Sequence, residues 1–223
     1  MRGVAVRRAA AGGEGVSPLD QAYQHLARDP VMRRVIARHG PCDDFAPRKL
    51  SPYESLLRAI AHQQLHGKAA ESILGRFKAL SGNGRVPSPE AVLAMRVTTM
   101  RRCGFSQAKA RAIRDIARHT VKGVVPTRRA CARLSDDEII ERLTAIWGVG
   151  RWTVEMLLIS TLGRLDVLPV DDFGVREGYR LAYGGKKQPT PKDLRAYGER
   201  WAPYRTVAAL YLWRVANEGK KKA

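Results

Sequence analysis

Cysteine is scarce in this chain, and the few that occur lie far apart. Cys42, Cys103 and Cys131 are separated by tens of residues, which suits neither a disulfide framework nor the closely grouped ligands of a zinc or iron–sulfur site. We therefore expect reduced thiols, as in a cytoplasmic protein.

Long apolar runs are also missing. Charged residues interrupt the apolar stretches before any reaches the ~18 residues that would span a bilayer. Residues 1–16 (MRGVAVRRAAAGGEGV) are basic and rich in small residues, and they lack the apolar stretch of about 7–15 residues that a signal peptide needs. We expect this start to be disordered, and the protein to be cytoplasmic rather than secreted or membrane-embedded.

Acidic residues are outnumbered by basic ones. The chain has 40 Lys and Arg against 21 Asp and Glu, a net charge of +19 and a pI near 10.6. Such an excess attracts polyanions at long range, although a solvated surface in a GC-rich or salt-adapted proteome would give the same count. The charge permits nucleic acid as a partner and does not prove it.

Strand patterns are scarce, and helical periodicity covers most of the 223 residues. Apolar residues recur near the 3.6-residue period in segments 19–38, 52–80, 88–95, 107–121, 135–145, 151–161, 172–183, 191–200 and 204–217. Helix-start residues are found at Ser17–Pro18, Ser51–Pro52, Ser88–Pro89, Ser106, Ser135 with Glu138, and Thr190–Pro191. We predict an all-α fold.

Residues 143–176 (LTAIWGVGRWTVEMLLISTLGRLDVLPVDDFGVR) carry the most information. Their apolar positions fit two short packed helices with Gly148 and Gly150 between them. Glycine accepts positive φ and has no Cβ, so the amides at the start of the second helix can approach an anion closely. With Arg151 and Thr153 beside the turn, the pattern favours a cradle for DNA phosphate that is blind to base sequence over an ordinary helix–helix turn.

Asp171 and Asp172 follow at the start of a third helix. A fixed carboxylate beside DNA can stabilise positive charge on a sugar and orient or deprotonate a water. The structural alternative is helix capping, usually worth under ~1 kcal/mol. The preceding hairpin favours a catalytic role for one of the two.

Five segments match motifs of one protein family, in that family's order. They are RAIAHQQLHGKAAESILGRF (58–77), CGFSQAKARAI (103–113), IWGVGRWTVE (146–155), LPVDDFGVR (168–176) and YGERWAPYRTVAALYLW (197–213). The chain after residue 17 thereby resembles the helix-hairpin-helix DNA glycosylases, and within them the alkylation-repair branch of 3-methyladenine DNA glycosylase II.

The resemblance implies a two-lobed helix-hairpin-helix glycosylase fold with the damaged base held in the cleft. Residues 55–165 would form the hairpin lobe, and residues 17–54 and 166–217 the other, followed by a basic tail at 218–223. The N-terminal β domain of larger members has no counterpart here, so the chain resembles the compact form.

The resemblance also assigns the chemistry. The catalytic aspartate of the branch falls on Asp172, the second of VDDF, and Asp171 would help to shape the helix start. Where bifunctional relatives carry a nucleophilic lysine this chain has Trp152, and an indole cannot form an imine. The resemblance therefore implies a monofunctional enzyme that removes a base and leaves an abasic site.

Trp152 and Trp213 match the pocket aromatics of the branch. A cationic alkylated purine over an indole face gains roughly 0.5–2 kcal/mol of cation–π energy. Ordinary helix packing is the alternative for each, evenly weighted for Trp213. Met156 stands where relatives have an aromatic residue, which implies a roomier or more adaptable pocket.

A base inside a duplex must be flipped out and its place filled. The resemblance puts the plug at Gln63 to His66, with Gln64 or Leu65 as the wedge and His66 in place of the more usual serine. A polar helix surface is the alternative interpretation for the glutamines, and a satisfied local histidine for His66.

Further contacts are expected around the hairpin. Candidate phosphate ligands, each equally interpretable as a solvated charge, are Arg58, Lys68, Lys109 and Arg151. The resemblance also implies a monovalent cation, Na⁺ or K⁺, on the backbone carbonyls of Thr144, Ile146 and Val149, while the reaction itself requires no cofactor.

We therefore expect a monomer that acts on double-stranded DNA containing alkylated bases, in association with a bacterial nucleoid. Two alternatives stay open. One is a non-catalytic helix-hairpin-helix DNA-binding module, and the other is a glycosylase for a different lesion class, such as oxidised or mismatched bases. The sequence does not rank 3-methyladenine, 7-methylguanine, etheno adducts or hypoxanthine.

Overall fold

The computed structural model describes residues 17–42, 45–65 and 67–222. Every regular element in these ranges is helical, which confirms the all-α prediction. The predicted disordered start at 1–16 and His66 of the predicted plug lie outside the described residues. No helix within those ranges has the length and apolar character to cross a membrane.

Thirteen α-helices are found in the described ranges. They are α1 (Pro18–Leu26), α2 (Pro30–His39), α3 (Pro52–His62), α4 (Gly67–Ala79), α5 (Pro89–Ala94), α6 (Val97–Arg102), α7 (Gln107–Val121), α8 (Arg128–Cys131), α9 (Asp136–Thr144), α10 (Arg151–Leu157), α11 (Phe173–Tyr183), α12 (Pro191–Gly198) and α13 (Arg205–Lys222). A π-helical turn (Leu158–Leu162) continues α10, and a 3₁₀ turn (Glu199–Trp201) continues α12.

The helix starts agree with the sequence. Each predicted cap places its side-chain oxygen on a backbone N–H of the first turn, at Ser17, Ser51, Ser88, Ser106, Ser135 and Thr190. The capping box predicted for Ser135 and Glu138 is present, and Ser51 forms a second one with Glu54.

Two long predicted segments are each divided into two helices. Segment 19–38 breaks before Pro30, where the Asp29 carboxylate caps α2 by accepting from the amides of Val31 at 2.9 Å and Met32 at 3.4 Å. Segment 52–80 breaks after α3, where Gln64 has a positive φ of 54°. Prediction of one continuous helix was wrong in both places, because the apolar periodicity runs on across the break.

Other helix bounds also differ from prediction. Helices α6 and α8 were not predicted, and segment 151–161 changes to π-helical turns after Leu157. Segment 204–217 continues as α13 to Lys222, through most of the predicted tail at 218–223.

The buried apolar side chains form two clusters. One lies between Tyr53 and Val167 along the chain, in helices α3 to α10 and the residues around them. The other is made by α1, α2 and α11 to α13. Phe45 and Trp213 pack against both clusters, so Trp213 lies where the two meet. The three cysteines are free and buried.

Helices α11 and α13 cross unusually closely. A Cβ added at Gly178 would lie 1.9 Å from the carbonyl oxygen of Leu212, so only glycine permits this approach. The crossing brings the start of α11, with Asp172, beside Trp213 of α13.

Candidate active site and DNA-binding hairpin

Asp172 is held by three hydrogen bonds. Its Oδ2 accepts from the indole Nε1–H of Trp152, and its Oδ1 accepts from the indole Nε1–H of Trp213 and the backbone N–H of Val175, each at 2.8 Å. Charge-assisted bonds of this kind fix the orientation of a carboxylate. The bond to Val175 makes Asp172 the N-cap of α11, so the helix start is shaped by Asp172 and not, as expected, by the exposed Asp171.

Gly174 makes room for this arrangement. A Cβ there would lie 2.8 Å from Cδ1 of Trp213 and 3.1 Å from Oδ1 of Asp172. A larger residue would push the indole away from the carboxylate. The small residue in VDDFG is therefore part of the site, a role that sequence reasoning missed.

Trp152 also lines a cavity of about 230 Å³. Its lining residues are Arg48, Ser55, Arg58, Ala59, His62, Trp152, Met156 and Ser160. The structure thus brings Trp152 and Met156 together, as predicted for a base pocket. Trp213 is not in this lining; it shares with Trp152 the hydrogen bonds to Asp172.

Arg58 belongs to the cavity wall. Its guanidinium forms an ion pair with Glu71 of α4, with a hydrogen bond of 3.1 Å from Nη1 to Oε2. The imidazole Nε2 of His62 lies 2.8 Å from Oε1 of the same carboxylate. The bonds from Arg58 and His62 hold the pKa of Glu71 below its usual value. Arg58 therefore contacts Glu71, whereas the sequence made it a candidate contact to DNA phosphate.

The hairpin glycines differ in what they require. Gly148 has a φ of +82°, and a Cβ there would lie 2.8 Å from Cβ of Ala112. Gly150 has a φ of −88°, and a Cβ there would meet nothing within 4 Å. Gly148 is thus needed for the fold of the turn, whereas Gly150 leaves open space above the first amides of α10 that an anion can approach.

Arg151 and Thr153 have partners inside the protein. The Nε of Arg151 donates to Oε1 of Glu155 at 3.1 Å, while the guanidinium remains half exposed. Thr153 is 2 % exposed, and its Oγ1 accepts from Nε2 of Gln63 at 3.4 Å. The side chain of Thr153 therefore faces inward, contrary to its predicted place at the DNA backbone.

Glu155 is a buried carboxyl beneath the hairpin. It is 3 % exposed, and its Oε2 has no hydrogen-bond partner in the part of the chain that the structure describes. Burial raises the pKa of Glu155 to about 7, against the opposing effect of Arg151. Sequence reasoning missed this group because no local pattern indicates its burial.

The predicted plug residues differ in their contacts and in their exposure. Gln63 turns back to the hairpin, with its Nε2 donating to the carbonyl of Gly148 as well as to Thr153, both at 3.4 Å. Gln64 and Leu65 are exposed, Leu65 by 41 %. Gln64 and Leu65 thus stay candidates for the wedge, while Gln63 is a link between two loops.

The two lysines predicted to contact phosphate lie in different surroundings. Lys68 is exposed near the start of α4. The Nζ of Lys109 instead donates to the carbonyls of Ala61 at 2.8 Å and Gln63 at 2.7 Å. Lys109 therefore holds the end of α3, a position that differs from the expected phosphate contact.

The model of the HhH-GPD superfamily of base excision DNA repair proteins matches residues 57–203. The chain belongs to this superfamily. Its matched range includes the hairpin, Asp172 and Trp152, and it contains helices α4 to α12 in full.

Several HhH-GPD relatives match this chain over nearly their whole length. A DNA-3-methyladenine glycosylase of Schizosaccharomyces pombe is 50 % identical over 209 residues, which is 92 % of this chain and 90 % of the relative. The structure of an S. pombe 3-methyladenine DNA glycosylase in complex with abasic DNA superposes with a TM-score of 0.81 at 46 % identity, over 87 % of this chain and 95 % of that one. A DNA-3-methyladenine glycosidase of Bacillus halodurans gives a TM-score of 0.80 at 36 % identity, over 92 % of each chain.

Proposed function

We propose that this HhH-GPD protein is a monofunctional DNA glycosylase of base excision repair, which releases alkylated purines from double-stranded DNA and leaves an abasic site. The observation that carries the proposal is the Asp172 carboxylate, which accepts from Trp213 and from Trp152, a residue of the cavity lining. The names of the relatives support the substrate class.

The chemistry follows from the position of the carboxylate. As the bond between C1′ and the base nitrogen breaks, its electron pair leaves with the base and positive charge develops on the deoxyribose. Asp172 stabilises that charge and orients a water, whose oxygen bonds to C1′ while its proton passes to the carboxylate. Because the indoles of Trp152 and Trp213 already hold Asp172, the carboxylate needs no reorientation during the reaction.

The cavity would receive the flipped base. Trp152 offers an aromatic face to an alkylated purine, and Met156 provides an adaptable wall where a more rigid side chain would restrict shape. The absence of an amine at position 152 supports hydrolysis without strand cleavage, since an imine with the sugar needs a primary amine.

A second lesion class is favoured by the charges around the cavity. Arg48 and Arg58 line it, and Arg58 forms an ion pair with the carboxylate of Glu71. A cationic base would meet like charge there, whereas a neutral damaged base with acceptor atoms would gain hydrogen bonds. Hypoxanthine and etheno adducts are the neutral lesions to test.

Binding to DNA is proposed to run through the hairpin. The open space at Gly150 and the amides that follow fit a phosphate. The hairpin carbonyls of Thr144, Ile146 and Val149 would hold a monovalent cation; Ile146 O accepts from Val149 N at 3.1 Å and keeps a second lone pair for it. Such a cation would link hairpin and phosphate by charge.

The proposal extends to the oligomeric state of the enzyme and to its location in the cell. We propose that the enzyme works as a monomer. It acts on chromosomal DNA, which in a bacterium is the nucleoid.

The test is base release from methylated duplex DNA, followed by chromatography, with strand breaks measured before and after alkali. Release of methylpurines with breaks only after alkali is expected. Breaks without alkali would contradict the monofunctional mechanism. Parallel duplexes with hypoxanthine or ethenoadenine distinguish the second lesion class, and DNA binding without release from any substrate would favour the non-catalytic module.

A further inference from the structure

The loop that joins α3 to α4, residues 63–66, is here called the plug loop; the structure describes its first three residues. It presents Gln64 and Leu65 to solvent, and Gln64 has a φ of 54°, a conformation that side chains other than glycine adopt rarely. Such a conformation persists only where the surroundings hold it. The contacts that hold this loop therefore decide where the wedge stands.

Lys109 is the main contact of the plug loop from outside. Its ammonium is partly buried and donates to the carbonyls of Ala61 and Gln63, at 2.8 and 2.7 Å. These carbonyls lie in the last turn of α3 and just after it, where the helix leaves its acceptors without partners and carries partial negative charge. A cation with several donors fits that end of the helix well.

The same helix that carries Lys109 also touches the hairpin. Ala112, one turn later on α7, lies against Gly148, and Asp115 accepts from the backbone N–H of Trp147 at 2.9 Å. Helix α7 thus contacts the plug loop near its N-terminus and the hairpin near its middle. A movement of the hairpin on DNA would be transmitted to the loop through this helix.

Gln63 joins the two loops directly. Its backbone carbonyl accepts from Lys109, and its side chain donates to Gly148 O and Thr153 Oγ1. The two side-chain bonds are long, at 3.4 Å each, so this link is weaker than the one through Lys109.

We propose that Lys109 is a positioning residue for base flipping, which holds the plug loop in register with the hairpin so that the wedge enters the duplex when the hairpin grips the backbone. The proposal rests on the proposed glycosylase function. Its alternative is the role expected from sequence, a direct contact of Lys109 to DNA phosphate.

Desolvation supports the positioning role. Burial lowers the pKa of the Lys109 ammonium below its usual value, whereas exposure to a phosphate would require the side chain to leave both carbonyls. Moving it would also leave the end of α3 without its partner. A contact between Lys109 and the DNA backbone would therefore cost the hydrogen bonds at the end of α3.

The experiment compares the wild type with Lys109→Met, which keeps the apolar stem and removes the donors, and with Lys109→Arg, which restores them. Lys122→Met is the charge-matched control, since Lys122 is exposed at the other end of α7. Three quantities are measured: affinity for undamaged duplex over a range of salt concentrations, single-turnover base release at saturating enzyme, and fluorescence of 2-aminopurine placed next to the lesion.

A positioning role predicts a split between binding and flipping. Lys109→Met should keep the affinity and the salt slope, lose the fluorescence rise, and release base about tenfold more slowly or worse. Lys109→Arg should recover much of the rate, and Lys122→Met should match the wild type in release and fluorescence. The proposal is overturned if Lys109→Met lowers the salt slope by about 0.9, as loss of one phosphate contact would, with an unchanged rate at saturation.

Two further outcomes are separated by design. If Lys109→Met does not fold, Lys109→Gln tests the same contacts, because it removes the ammonium that reaches the carbonyls of Ala61 and Gln63; a normal rate and fluorescence for it would overturn the proposal. If the wild type itself releases no base from any lesion, the proposed function fails; if it releases base and Lys109→Met does so equally fast, only the positioning role fails.

Discussion

Trp152 and Trp213 donate their indole N–H groups to different oxygens of one carboxylate, each at 2.8 Å. The sequence predicted both as walls of a base pocket or as packing. In the structure they also share the task of orienting Asp172. Helix α10, helix α11 and helix α13 are therefore joined at the reacting group itself.

Replacing either tryptophan with phenylalanine tests this shared role. Phenylalanine keeps an aromatic ring and loses the N–H donor, so the carboxylate loses one of its fixed bonds. We expect single-turnover base release to fall about tenfold for each variant, as for loss of one hydrogen bond to a charged group. Affinity for undamaged duplex should stay the same.

The two variants should differ in lesion preference. Trp152 lines the cavity and Trp213 does not, so only Trp152→Phe should change the ratio of rates for methylated and neutral lesions. Equal changes in that ratio would contradict the assignment of the cavity as the base pocket.

Gly150→Ala tests the phosphate cradle. Because Gly150 has a φ of −88° and open space around it, alanine should fold normally, and the added methyl group should obstruct only an approaching phosphate. We expect affinity for damaged and undamaged duplex to fall alike by about tenfold, with an unchanged melting temperature. Unchanged affinity would remove the cradle from the account.

Gly178→Ala tests the close crossing of α11 and α13. The added Cβ would lie 1.9 Å from Leu212 O, so the helices must separate, at a cost of about 2 kcal/mol or more in the free energy of unfolding. Gly75→Ala on α4 is the matched control: a Cβ there meets nothing within 4 Å, and it should stabilise by about 0.5–1 kcal/mol. Denaturant unfolding measures both, and equal effects would contradict the packing described.

Glu155 should make stability depend on pH. Its folded pKa of about 7 lies above the ordinary value of 4.5, so the folded state binds more protons than the unfolded state between these values. Stability should therefore fall as pH rises from about 4.5 to 7 and change little above that range. Glu155→Gln, which can still accept from Arg151, should remove this decrease in unfolding free energies measured from pH 5 to 8; an unchanged slope would show that another group causes it.

Local features of the fold were predictable from sequence. The caps at Ser51 and Ser135 depend on neighbours within one turn, so the residue types alone indicate them. The break at Asp29 also has a local signal, a capping aspartate before Pro30, which the continuous apolar periodicity obscured. The break at Gln64 has a distant contact, Lys109, which donates to the carbonyls at the end of α3, and no local pattern indicates such bonds.

The candidate site likewise has features that motifs predict and features that only the folded structure shows. The positions of Asp172 and Trp152 were expected from motifs, and their mutual bond was not, because it joins helices twenty residues apart. Arg58 and Lys109 were candidate phosphate contacts on charge alone, with a solvated charge as the equal alternative. Their partners, Glu71 and the carbonyls at the end of α3, come from other helices, so only the folded structure distinguishes a structural cation from one that meets DNA.

The most direct test of the account is base release from methylated duplex DNA by wild type and by Asp172→Asn, measured together with DNA affinity. The NH2 group of asparagine donates only, so it would face one of the two indole N–H donors without forming a hydrogen bond. Asparagine also carries no charge to stabilise the sugar cation. The account predicts release by the wild type, a rate at least about a hundredfold lower for Asp172→Asn, and equal affinity for both proteins. A variant that binds DNA and releases methylpurines at the wild-type rate would contradict the role of Asp172.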